Sequence, residues 1–116
     1  MVINPIDLGA LEAYKLATSL IVPRPIAWVG SRSAAGVDNL APFSYFMGVS
    51  TKPPSIAISV ARGRQGKLKD TASNILATGQ FTVSMVSFGA AQAMVQTSLS
   101  FDSDVSEFEA VELELI

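Results

Sequence analysis

Four bases, Arg62, Arg64, Lys67 and Lys69, fall in one short stretch, and the last stands two residues before Thr71, where the chain turns helix-forming. The first turn of a helix leaves N–H groups without acceptors and carries a partial positive charge, so cations and a hydroxyl placed there suit a small anion such as phosphate. Asp70 opposes an anion on its own side, and the same residues also describe an ordinary helix capped by Asp70 behind a solvated basic loop. A second group, Asn39, Ala41, Pro42, Phe43 and Ser44, sets small side chains, an exposed backbone and a hydroxyl in one bent stretch; on residue types alone it is a bulged edge strand with an Asn turn. Arg24 lies between Pro23 and Pro25, which stiffen its backbone. Its guanidinium suits a carboxylate or a phosphate, and equally an acid of the second half of the chain. Trp28 and Phe43 can stack on a flat ring, although an aromatic in a strand more often fills the core.

What is missing narrows the chemistry further. The 116 residues include no His and no Cys. This excludes Ser-His-Asp and Cys-His catalysis, disulfides, imidazole-bound metals and the usual zinc sites. An enzyme of this composition takes its hard chemistry from a bound cofactor. The net charge of −2 argues against non-specific nucleic-acid binding, but its distribution is uneven. Residues 1–69 hold all eight Lys/Arg against Asp7, Glu12 and Asp38, whereas residues 70–116 hold seven acids and no base. The acids Asp102, Asp104, Glu107, Glu109, Glu112 and Glu114 lack the spacing and the glycine of an EF-hand, so they read as a solvated face and no metal is expected. Arg24 and Arg32 interrupt the most apolar stretch and the N-terminus lacks a basic signal start, so a cytoplasmic protein without a membrane span is expected.

The elements that must carry these residues are short. Leu11–Leu20 reads as a helix showing Leu11, Tyr14 or Lys15, and Thr18 on one face. Ile26–Ser31 is a strand, Ala34-Ala35-Gly36 a turn, and Asn39–Val49 a strand bent at Pro42, together a hairpin. Ser55–Val60 alternates as a half-buried strand does. Asp70 is the expected N-cap of a helix Thr71–Thr78 that turns Ala72, Ile75 and Leu76 to the core and stops at Gly79. Phe81–Met85 is a strand, Ala90–Thr97 a helix, Ser98–Ser106 a loop, and Val111–Ile116 a final alternating strand. One domain is expected over 1–116, mainly β with short helices, in a largely antiparallel barrel. With 49% hydrophobic and 16% charged residues the chain is apolar for its size, which implies surface given to a ligand or a second subunit.

The ordered string of Pro23-Arg24-Pro25-Ile26-Ala27-Trp28-Val29, Gly36-Val37-Asp38-Asn39-Leu40-Ala41-Pro42-Phe43-Ser44, Pro53-Pro54, Lys69-Asp70-Thr71 and Asn74-Ile75 resembles the flavin reductase-like proteins, which bind FMN in a split β-barrel. The resemblance runs from about Tyr14 to Glu109. It implies a site in which Lys69, Thr71, Arg62 and Arg24 serve the FMN phosphate. It further implies that Asn39, Ala41, Pro42, Phe43, Ser44 and Ser59 line the isoalloxazine, whose polar edge needs backbone and hydroxyl donors. No side chain is expected to act as a catalytic acid or base. The implied activity is hydride transfer from NADH or NADPH to flavin. The alternatives are a non-catalytic FMN-binding module and a shortened structural remnant without a nicotinamide site. Relatives continue past the equivalent of Ile116 with a further segment that adds barrel strands. The expectation is therefore either a fragment or shortened form of the barrel, or a barrel completed by a second subunit, a homodimer with FMN near its interface.

Overall fold

Val29 and Ala27 alternate with Trp28 and Gly30 along β1 (Ala27–Arg32), and every one of these residues is buried. A strand covered on both faces must be central, and it is. In the computed structural model, which describes residues 2–114, β1 lies between β2 (Asp38–Phe43) and β5 (Thr82–Ser84) in an antiparallel sheet of order β2-β1-β5. The register pairs Val29 with Ala41 and with Val83. A second sheet is the hairpin of β3 (Phe46–Thr51) and β4 (Pro54–Ile58), in which Phe46 faces Ile58 and a bulge falls between Gly48 and Ser50. Ala27, Val29 and Phe43 form the core, with Ala41, Phe46, Ile58, Val60, Ile75 and Val83 packed against them.

The expected strand Asn39–Val49 is two strands, and the break comes at Ser44-Tyr45 rather than at Pro42. Pro42 stays inside β2, opposite Trp28, because β2 is an edge strand and a missing donor there need not cost a ladder bond. The expected strand Ser55–Val60 is shifted to β4, which starts at Pro54 and ends at Ile58, and the expected Phe81–Met85 is trimmed to β5.

Four α-helices among the described residues flank the sheets: α1 (Ala10–Leu20), α2 (Asp70–Thr78), α3 (Ala91–Gln96) and α4 (Glu107–Ala110). In α1 the half-buried side is Ala13, Leu16, Ala17 and Thr18, and Leu11 and Tyr14 point to solvent, so the apolar face is shifted from the expected one. Lys69, not Asp70, holds the N-cap of α2, without a side-chain cap bond, and Asp70 is the first helical residue. The buried side of α2 is polar at its start, Thr71 and Asn74, and Leu76 is exposed, again a rotation from the expected face. Gly79 ends α2 as expected: it adopts φ 69°, a left-handed conformation that suits glycine, and its N–H donates to Ile75 O at 2.8 Å. No strand forms over residues 111–114; Val111 and Glu112 make a turn in which Glu112 has φ 56°, and Leu115 and Ile116 lie outside the described residues.

Candidate functional site

Four elements meet in a buried polar seam behind the first turn of α2. From β2, Asn39 Nδ2 donates to Thr71 Oγ1 of α2 at 3.0 Å and to Ser31 Oγ of β1 at 3.3 Å. Asn74 Nδ2, one helical turn beyond Thr71, donates to the same Ser31 oxygen at 3.3 Å. From α4, Glu107 Oε2 accepts from the backbone N–H of Leu40 at 3.0 Å, closing the outer edge of β2. The local cause is strand alternation: Ser31 continues the face of Ala27 and Val29, and Asn39 continues that of Ala41 and Phe43, so the apolar core under α2 becomes polar toward its N-terminus. The seam fixes the helix start where donors remain free. The first intrahelical bond of α2 runs from Ser73 N–H to Lys69 O at 3.0 Å, so the N–H groups of Asp70, Thr71 and Ala72 have no acceptor within the helix.

The expected anion ligands arrange unevenly around that start. Lys69 is exposed and adjacent to it. Thr71 is only 2% exposed, and its hydroxyl, which accepts from Asn39, retains its own proton to donate. Arg62 is exposed at the other end of the basic loop and donates to Gly66 O at 2.8 Å, which tightens the loop on itself. Arg24 is engaged elsewhere. Its Nη1 donates to Thr18 O and Ile21 O, both at 2.7 Å, at the C-terminal end of α1, its Nε to Ser44 Oγ at 3.3 Å, and its guanidinium lies 5.8 Å from the centre of the Tyr45 ring.

Along β2 the ring-lining candidates split between two faces and two tasks. Phe43 belongs to the core, and Trp28, also buried, donates Nε1–H to Thr97 Oγ1 at 2.9 Å, so both aromatics fill the interior. Ala41, Pro42 and Ser44 are half-buried, and Ser59 is exposed just after β4 with its N–H on Tyr45 O at 2.9 Å. Asn39 and Ser44 are five residues apart, about 17 Å of extended chain, so only an elongated ligand touches both. Two cavities are nearby. One of about 820 Å³ lies at the opposite end of α2, between Thr78-Gly79-Gln80, Thr82 and Phe108, and one of about 340 Å³ is lined by Asn39, Asp70, Asn74 and Asp104. Of the expected site residues only Asn39 lines either cavity; Ser59, Arg62 and Lys69 are exposed, Arg24, Ala41, Pro42 and Ser44 are half-buried, and Phe43 and Thr71 are buried.

Glu107 escaped the sequence reading, which placed it on a solvated acidic face. It is 7% exposed and is the one charged residue buried among the described residues, while Asp102, Asp104, Glu109, Glu112 and Glu114 are exposed as expected. Burial pushes its carboxyl above the ordinary carboxylate range, opposed by the Leu40 N–H and assisted by the nearby Asp70. The only signal in the sequence was its apolar surroundings, Val105, Phe108 and Val111. No group of acids among the described residues is arranged to hold a metal, and no described helix is long and apolar enough to cross a membrane.

Comparison with known proteins gives consistent results. The flavin reductase like domain matches residues 19–116. An uncharacterized protein of Aquifex aeolicus is 46% identical over 96 residues, 83% of this chain and 49% of that protein. Among solved structures, nitrilotriacetate monooxygenase component B from Bacillus cereus superposes with a TM-score of 0.89 at 38% identity, covering 97% of this chain and 55% of that one. The 2-nitrobenzoate 2-nitroreductase of Pseudomonas fluorescens gives 0.85 at 36%, covering 100% and 54%. The chain thus spans about half the length of the relatives it matches, and the fold is the mainly β split barrel that the sequence implied.

Proposed function

The chain belongs to the flavin reductase-like domain family, and from that premise we propose that it binds FMN and takes part in hydride transfer from NADH or NADPH to flavin. The observation that carries the FMN reading is the Asn39–Thr71 bond, which ties the donor-rich start of α2 to the strand bearing Ala41, Pro42 and Ser44. Three free N–H groups, the Thr71 hydroxyl and the Lys69 ammonium form a phosphate cradle, and Arg62 adds charge from the same loop. Half-buried Ala41 and Pro42 offer a shallow apolar wall to the ring, and Ser44 and Ser59 offer polar groups to its edge. Bound flavin supplies the redox chemistry; the protein's part is to hold it and exclude water, which agrees with the lack of His and Cys. The open face of the site favours a homodimer whose second subunit covers the flavin.

Fluorescence quenching of FMN and riboflavin, followed by NADH and NADPH oxidation with added flavin, tests this. FMN binding at least tenfold tighter than riboflavin, together with nicotinamide oxidation, is expected. Equal affinities would remove the phosphate cradle, and tight FMN binding without oxidation would make the protein a flavin-binding module.

A further inference from the structure

A buried carboxylate with no cation beside it is costly, and Glu107 is such a group: among the described residues the one ion pair is Arg32–Asp38, and the charge that acts on Glu107 is Asp70, of like sign. The one hydrogen bond of its carboxyl to another described residue is from the Leu40 N–H, on the outer edge of β2. Leu40 is the neighbour of Asn39, and Asn39 is the residue through which β2 grips both Thr71 and Ser31. The chain of hydrogen bonds therefore runs from α4 through the β2 backbone to the first turn of α2, a turn that Glu107 otherwise meets only through the like charge of Asp70.

We propose that Glu107 is a positioning residue for phosphate recognition: by clamping the β2 edge at Leu40 it sets the Asn39 amide, and through Asn39 the orientation of Thr71 and the free N–H groups of α2. The inference rests on the FMN reading above. Its physical basis is that hydrogen bonds to a phosphate weaken steeply with misalignment, so a small shift of the α2 start lowers affinity for FMN while the ring contacts along Ala41 to Ser44 stay in place. Removing the acceptor leaves the Leu40 N–H buried and unpaired, and the edge of β2 then moves to find water or another partner. A glutamine keeps an acceptor oxygen at the same reach and preserves the clamp.

The test compares Glu107→Ala, Glu107→Met and Glu107→Gln, each checked for folding by circular dichroism, in titrations with FMN and with riboflavin. The expected result is that Ala and Met weaken FMN about tenfold and riboflavin less than about twofold, with Gln within about twofold of the unmodified protein for both ligands. A parallel loss of both ligands in Ala and Met, or a Gln variant as impaired as Ala, would overturn the proposal. So would failure of both Ala and Met to fold while Gln folds, since Glu107 would then serve stability alone. An unmodified protein that binds FMN and riboflavin equally would instead refute the phosphate site itself, a result visible before any variant is made.

Discussion

Asn39 uses one amide nitrogen on two hydroxyls, and this makes Thr71 a structural residue as well as a candidate ligand. Lys69, exposed at the N-cap, has no such second duty. Lys69→Ala is therefore expected to weaken FMN by about 1–2 kcal/mol with an unchanged melting temperature, whereas Thr71→Val weakens FMN and also destabilises the ligand-free protein by about 1 kcal/mol. Calorimetric titration beside thermal melts separates the two; a melting temperature unaffected by Thr71→Val would show that the Asn39 bond contributes nothing. Glu107 adds a pH dependence with a definite sign. Its folded pKa is raised above its ordinary value of 4.5, so between the two values the folded state holds more proton than the unfolded. Stability from this group therefore falls as pH rises through that window and stays lower above it. Glu107→Gln removes the effect, so the variant should gain stability relative to the unmodified protein as melts move from about pH 4 to about pH 7. A constant difference over that range would mean that Glu107 titrates alike in both states.

At the scale of elements, α1 is tethered rather than packed. None of its residues is buried, and Arg24 binds its last carbonyls while reaching the Ser44-Tyr45 junction between β2 and β3. A guanidinium at a helix C-terminus satisfies orphan carbonyls and opposes the dipole, so one side chain holds the helix against the strand junction. Arg24→Ala should raise amide exchange in α1 by an order of magnitude or more and leave β1 and α2 protected. Unaltered exchange in α1 would show that its apolar contacts suffice. The two prolines around Arg24 marked this residue as aimed, but its target, the end of the preceding helix, depends on how the chain doubles back after Leu20.

For the whole molecule, the exposed surface is large for its mass. A folded chain of this mass exposes roughly 6,000 Å² when compact, but this one exposes 8716 Å². Its radius of gyration is 15.7 Å, against about 13.4 Å for a compact domain of this length. Met47 and Val49, alternate residues of β3, are each 61% exposed, and Ile56 of the paired β4 is also open. These belong to a two-stranded sheet, which is marginal in water without a partner. Val49→Asp, at this exposed position of β3, should convert the proposed dimer to monomer in light scattering at micromolar concentration and weaken FMN in parallel. A monodisperse, folded monomer before any substitution would reject the dimer.

The sequence alone determined the family, the central strand β1 and the extent of α2 to within a residue. The apolar run read as the strand Ile26–Ser31, the Gly36 turn and the Gly79 stop are local patterns, and local sterics and burial decide them. It could not determine which face of α1 or α2 turns inward, that Glu107 leaves an acidic run to bond Leu40, that Phe43 joins the core, or that Asn39 meets Thr71 thirty-two residues away. Those were decided by tertiary packing. A short helix with apolar residues on several sides takes its orientation from the sheet it meets, and a polar side chain is buried only where a distant element supplies its hydrogen-bond partner.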